Sequence, residues 1–185
     1  MKSTLSIVSV VITTTLLLLC HSENKAQTEI NWDSWGIPHI MASTEEQLFY
    51  AQGWAQMKLH GNLILELYGK ARGRGAEYWG KQFEQQAKLI HVLGFPGLAA
   101  GWKQKQDPRL VKLISAFVDG ANDYVRKNPS AIAKDKQAVL PIVYDDVNLH
   151  YLNVIYGIFM ASDDIDGAIR SVGLSLIHIS EPTRH

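Results

Sequence analysis

The stretch from Asp107 to Pro129 most narrows what this 185-residue chain can fold into. Asp107-Pro108 reads as a helix N-cap followed by proline at the first helical position, where its missing N–H costs little. Leu110, Leu113, Ile114, Phe117, Ala121 and Tyr124 then fall on one stripe, and Asn128-Pro129 ends the helix. Such a stripe is stable only against another apolar surface. The rest of the chain therefore has to be read for what it offers as a partner.

It offers mostly more helix. Ser43 with Glu46 three residues on reads as a capping box. The helix it opens carries Leu48, Ala51, Ala55, Leu59, Leu63 and Leu67 at helical spacing, with Trp54 and Ile64 beside them, and breaks at GKARGRG. The isolated GxG at Gly73 to Gly75 lacks a strand before it and a helix after it, so it reads as a turn rather than a phosphate loop. Arg72 and Arg74 read as exposed charges on that turn. A polar helix covers Lys81 to His91 and is stopped by Gly94, Pro96 and Gly97. After a loop through Pro141, Asp145 or Asp146 caps a last helix with Leu149, Leu152, Ile155, Tyr156 and Phe159 on one side. Sheet is scarce: Thr28 to Asp33 and Ile37 to Ala42 read as two short strands joined at Ser34-Trp35-Gly36. Gly36 and Pro38 suit a bend there. His39 is read as a hydrogen-bonded packing residue rather than a base. The fold class expected is α+β, mainly helical, with short N-terminal strands.

The two ends read differently from the middle. Met1-Lys2 precedes the uncharged, mostly apolar run Leu5 to Leu19, which is short for a membrane span of about 20 residues. Residues 1–22 are expected to be a secretory signal peptide cleaved after Ser22. The alternative is lipid anchoring through Cys20, the only cysteine. Periplasmic or extracellular location follows from either reading, with no stable membrane span. At the other end, Leu174 to Arg184 (LSLIHISEPTR) is identical to the translation of a common transposase sequencing adapter. Residues 174–185 are accordingly set apart as adapter-derived, and 23–173 is expected to be an incomplete portion of a longer protein.

Composition excludes some functions. Lys+Arg and Asp+Glu balance at 18 each, and no basic stripe interleaves with aromatics, so nucleic acid is not expected as a partner. There is no internal repeat and no HExxH or comparable metal-ligand spacing. The histidines are scattered, with His60 and His91 read as solvated or half-buried on helix faces. The acidic run Ser162 to Gly167 supplies Asp163, Asp164 and Asp166. It lacks the full loop spacing of a calcium-binding hand, so helix capping or solvent exposure is preferred there.

One ordered set of motifs remains. WDSWGIPHIMASTEEQLFYAQGWAQ resembles the start of the α chain in the penicillin acylase family of N-terminal-nucleophile hydrolases. The matching positions are Trp35 to Ile40, Glu45, Glu46, Leu48 and Tyr50 to Gln56. A Gly-Arg turn near Ala71 to Ala76, the pair Trp79-Gly80 and an FxxGxNxY element follow in the family's order. That last element is Phe117, Gly120, Asn122 and Tyr124. The similarity runs from about Glu29 to Asp166.

The resemblance implies the following. The complete protein would have a four-layer αββα architecture, in which this piece supplies mainly helices. It would be exported as a precursor that cuts itself into α and β chains. The N-terminal Ser of the β chain would then hydrolyse an N-acyl amide such as a penicillin, an acyl-homoserine lactone or a lipopeptide. The partners implied are the β chain of the same precursor and an N-acylated small molecule. No catalytic residue is assigned within this chain, because the Gly-Ser junction should lie beyond it, and the chain alone is expected to be inactive. Phe159 and Met160 are similar to a segment that lines the acyl pocket, with core packing an open alternative for Met160. Asp164 is similar in position to a calcium ligand. No cofactor is implied as required, beyond a structural Ca²⁺ in the complete enzyme. The alternative from another class is a secreted, non-enzymatic helical binding module.

Overall fold

A single carboxylate organises the N-terminal hairpin. In the computed structural model, which describes residues 28–157, β1 (Glu29–Trp32) pairs antiparallel with β2 (Pro38–Met41), Ile30 opposite Ile40 and Trp32 opposite Pro38. Both strands are shorter than the sequence suggests because the turn takes residues from each side. The Trp35 and Ile37 N–H groups donate to Asp33 Oδ1 at 2.9 Å, and Gly36 closes the turn at φ +76°. That φ is cheap for glycine and strained for a residue with a Cβ. The Ile37 N–H first, with His39 and Trp35 contributing, holds the Asp33 carboxyl below its ordinary pKa. His39 Nε2 lies 3.2 Å from Asp33 Oδ2 with most of its side chain in solvent. The histidine is hydrogen-bonded as expected, but it props the turn and packs into no core.

The helices follow in the order α1 (Glu45–Ala71), α2 (Gly75–Trp79), α3 (Glu84–Val92), α4 (Phe95–Lys105), α5 (Pro108–Lys127) and α6 (Tyr144–Ile155). Short 3₁₀ turns lie at Lys81–Phe83, Pro129–Ala131 and Gln137–Val139. The result is mainly helical with one two-stranded sheet, the fold class expected from the pattern.

Four local expectations need correction. The α1 cap is Thr44, whose Oγ1 accepts from the Gln47 N–H at 3.2 Å, while Gln47 Oε1 accepts from Ser43 N–H. The box has slipped one residue from Ser43/Glu46 because Thr44 is the last residue with extended backbone, at φ −131° and ψ 157°. The polar helix does end before Gly94, as expected, but Pro96 and Gly97 lie inside a further helix instead of a loop. Gly94 in the left-handed region turns the chain, and Pro96 in the first turn of α4 starts a helix that the sequence reading lacked. Gly75 likewise opens the short α2 directly after the Gly73 turn. Finally, α6 is preceded by Val143 rather than by either aspartate. Asp146, two residues into the helix, reaches back to accept the Val143 N–H at 2.7 Å.

The long helix α1 also buries a different face from the leucine stripe. Ala51 and Ala55 are buried as expected, but Leu48, Leu59 and Leu63 are exposed, while Met57, Leu65, Tyr68 and Ala71 are fully or nearly fully buried. Two features cause this. His60 has non-helical dihedrals (φ −131°, ψ 20°), so the second half of α1 resumes in a different phase. The first half lies so close to α5 that small residues form the contact.

That approach is set by two glycines. A Cβ placed on Gly53 would lie 1.9 Å from the Phe117 carbonyl oxygen, and one on Gly120 would lie 1.9 Å from the Tyr50 carbonyl oxygen. Each glycine thus meets the backbone three residues before the other. Around this crossing Met57, Leu65, Tyr68, Val118, Ala121, Tyr124, Ile132, Val139 and Ile142 form the main core. A second cluster, with Ala71, Ile90, Phe95, Ala99, Leu149 and Leu152, joins α3, α4 and α6 to the end of α1.

Candidate functional site

Three helix-borne side chains fix the frame around the crossing. Asn122 on α5 uses both ends of its amide on one residue. Its Nδ2 donates to Ile142 O at 2.8 Å, and its Oδ1 accepts from Ile142 N–H at 3.0 Å. The loop between α5 and α6 is thereby pinned to α5 as a neighbouring strand would pin it. Tyr124 meets Trp54 edge-on, with centroids 5.1 Å apart at 90°. With Gly120 at the backbone contact, every polar or small position of the FxxGxNxY element has a physical job.

Arg72 corrects the sequence reading most clearly. It is not an exposed turn charge: its side chain is 15% exposed and Asp146 is 1% exposed. The guanidinium donates Nε to Asp146 Oδ1 and Nη2 to Asp146 Oδ2, both at 2.6 Å, with further bonds to Pro141 O and the Tyr78 hydroxyl. Burial acts against the charged form, but the bonds to Asp146 and Tyr78 outweigh it and raise the Arg72 pKa above its ordinary value. This buried pair ties the end of α1 to the start of α6. Arg74, by contrast, is half exposed and pairs with Glu77, as an exposed turn charge would.

An open cleft lies between β1, α1 and α5. It measures about 590 Å³, and its floor includes Ile30, Trp32, Ala51, Trp54 and Ala116. Its rim carries Glu46, Asp119, Asp123 and Lys127. Lys58 caps the tryptophan end, with its ammonium 4.2 Å from the Trp32 ring centre and 5.7 Å from that of Trp54. Tyr50 donates its hydroxyl to Asp123 Oδ2 at 2.6 Å, and Asp123 is also paired with Arg126 and, at 2.8 Å, with Lys127. Lys127 first, then Tyr50, holds the Asp123 carboxyl below its ordinary range. Burial first, and then Asp123, pushes the Tyr50 phenol to about 12. At neutral pH the phenol is therefore a fixed donor and the carboxylate a fixed acceptor. Neither is poised to exchange a proton near neutral pH.

The other candidates from the sequence are dispersed. His60 is exposed at the α1 kink, and His91 is exposed with Nε2 3.2 Å from Gly73 O. Among the described residues no group of three or more His, Cys, Asp or Glu side chains gathers where it could hold a metal ion, and no helix is long and apolar enough to cross a membrane. Phe159, Met160, Asp163, Asp164 and Asp166 lie outside the described residues, as do the leader 1–22 with Cys20 and the adapter-like segment 174–185. Sequence reasoning missed the Tyr50–Asp123 bond, which spans 73 positions of sequence, and the cleft itself. A sign was present: Asp119, Asp123 and Lys127 recur at four-residue intervals on the polar side of α5.

Comparison with known proteins agrees with this frame. The family model described as penicillin amidase matches residues 27–160. Among solved structures, a thermostable penicillin G acylase from Alcaligenes faecalis superposes with a TM-score of 0.65 at 17% identity. The match covers 86% of this chain and 95% of that one. At that identity the superposition speaks to the fold alone.

Proposed function

Since the chain belongs to the penicillin amidase family of hydrolases, which act on amide bonds, we propose that it is the α-chain portion of an exported N-acyl amide hydrolase whose nucleophile is the N-terminal Ser of a β chain. The observation that carries this reading is the family match over residues 27–160, which takes in the hairpin, the glycine crossing and the Asn122 pin.

In this mechanism the serine Oγ attacks the amide carbonyl carbon while its own α-amine takes the proton through a water. The amine product leaves, and water then hydrolyses the acyl-enzyme to release the acid. Backbone or side-chain donors facing the developing oxyanion lower both barriers. The α chain contributes no reacting group. Its part is the frame, with Phe159 and Met160 as one wall of the acyl pocket and Asp164 as a carboxylate for a structural Ca²⁺ in the complete enzyme. The polypeptide alone is inactive, and the complete enzyme works in the periplasm or outside the cell, freely or through a lipid on Cys20.

Sequencing the source gene past the Gly173 codon tests this. An open frame reaching a Gly-Ser junction supports the hydrolase, and a stop codon would leave the non-enzymatic helical binding module. Assaying the complete protein on N-acyl amides of graded chain length then separates β-lactam, lactone-signal and lipopeptide acylases.

A further inference from the structure

Among the described residues, the buried side-chain polar atoms without a hydrogen-bond partner all belong to α6 or to the residue that caps it. They are Asn148 Nδ2, His150 Nδ1 and the Tyr156 hydroxyl. Such groups are rare in a folded protein, and three on one helix mark an element whose seat is incompletely matched. Its contact with α1 is a ladder of two rungs. Tyr68 and Arg72 lie one turn apart at the end of α1, as do Asp146 and His150 on α6. Arg72 holds Asp146 through two bonds of 2.6 Å, and the Tyr68 ring lies 5.5 Å from the His150 ring. Tyr68 is also one wall of an apolar pocket of about 180 Å³, with Phe49, Ile114, Phe117 and Val147 as the others. The aromatic rung therefore has room to rearrange.

Of the three unpartnered groups, His150 is the one that titrates near neutral pH. A neutral ring can leave Nδ1 as a bare acceptor. A protonated ring must place an N–H there, and among the described residues nothing accepts it. The groups around the ring do not relieve this. On α1, burial first and Asp146 second push the Tyr68 phenol to about 12, so it stays neutral, and Arg72 is a cation. On α6, the Asp146 carboxylate one turn back is already taken by Arg72 and the Val143 N–H. Both α4 and α5 also pack on α6, but burial alone lowers the His150 pKa. Lys103 of α4 sits 4.7 Å from the Tyr144 ring at the other end of α6, and Asp123 of α5 is held by Tyr50, Arg126 and Lys127. A proton on His150 thus drives the ring out of its seat or towards Asp146, where it competes with Arg72. Either way a rung is lost.

We propose that His150 is a positioning residue that latches α6 to α1 when neutral and releases it when protonated, and that in the complete enzyme this release loosens the acyl-pocket wall. The pocket clause rests on the preceding reading of Phe159 and Met160, which follow Ile155 by four and five residues. Released, His150 has its ordinary pKa of 6.5; latched, a lower one. As the pH falls from 6.5 to the latched value, opening of α6 gains up to about tenfold per pH unit. The test uses the purified product of the complete gene. Amide exchange of Tyr144–Ile155, corrected for the intrinsic effect of pH, should quicken by that factor, ahead of α5 and with a weaker urea dependence, as a local opening does. His150→Phe and His150→Gln should both abolish the step. On an N-acyl amide, wild-type KM should rise severalfold relative to His150→Phe across the same window, with kcat following one pH profile in both. A step that survives both substitutions, an α6 that exchanges only together with α5, or a His150 ring that titrates at 6.5 or above by NMR overturns the latch. A KM ratio independent of pH, with the exchange step present, overturns its link to the pocket. A protein that hydrolyses no amide overturns the preceding reading instead, and exchange in α6 still decides the latch.

Discussion

The replacement Gly120→Ala isolates the feature on which the frame depends. The new methyl would sit 1.9 Å from the Tyr50 carbonyl oxygen, and real Cβ atoms essentially never come within 3.0 Å of a neighbour. The obstacle is backbone inside a helix, so it cannot rotate away as a side-chain tip would. Relief requires α1 and α5 to part by about an ångström, which loosens the packing of Met57, Val118, Ala121 and Tyr124 at the crossing. Overpacking of this kind costs about 1–3 kcal/mol or more, and an immovable contact belongs at the upper end. Against it, alanine is better than glycine inside a helix by about 1 kcal/mol. The net expectation is a loss of about 2 kcal/mol. Gly101→Ala in α4 is the matched control, because nothing lies within 4 Å of its added methyl. It should gain up to about 1 kcal/mol from propensity. Urea denaturation of the purified product of the complete gene, with amide exchange read in α1 and α5, compares the two. Opposite signs are required; a neutral or stabilising Gly120→Ala would refute the close crossing.

Other expectations follow from the buried polar groups. Asp146→Asn or Arg72→Met should each destabilise by about 3–5 kcal/mol by stranding a buried partner, and the double change by less than the sum of the two; Arg74→Ala should stay within about 0.5 kcal/mol. Asn122→Ala should cost about 1–3 kcal/mol, because it orphans the Ile142 N–H and C=O together, and proteolysis should then enter between Pro129 and Val143. His150 packs 5.5 Å from the Tyr68 ring with a buried Nδ1 that has no hydrogen-bond partner among the described residues, and burial lowers its pKa below the ordinary 6.5. Below pH 6.5 the unfolded chain binds a proton that the folded chain resists. Stability is therefore lost as the pH falls from 6.5 towards the folded pKa, and His150→Phe should flatten a urea-midpoint profile across that window.

The sequence showed α5 almost whole, because a stripe bounded by Asp107-Pro108 and Asn128-Pro129 needs nothing from the rest of the molecule to be read. The α1 face misled because the visible leucines are not the buried residues: Leu48, Leu59 and Leu63 stay exposed while glycine and alanine meet α5. Hydropathy cannot register a contact made by the absence of a side chain. Arg72 and Asp146 lie 74 positions apart, and nothing local distinguishes Arg72 from Arg74, which faces solvent. The motifs behind the family resemblance were legible as a pattern before their reasons were. Gly53, Gly120, Asn122 and Tyr124 became physical statements only once the two helices and the loop were seen together.

Leu48, Leu59 and Leu63 of α1 and Trp35, Ile37 and Met41 of the hairpin are all exposed, more large apolar side chains than a stable protein usually leaves in water. Residues 23–173 alone should accordingly be poorly soluble or lack a cooperative melt. The central claim is that they are half of a self-processed amidohydrolase, and it is tested most directly on the purified product of the complete gene. N-terminal sequencing and intact mass should find two chains, the second beginning with Ser, and the preparation should release free acid from an N-acyl amide. A single uncut chain that hydrolyses no such amide would contradict the account.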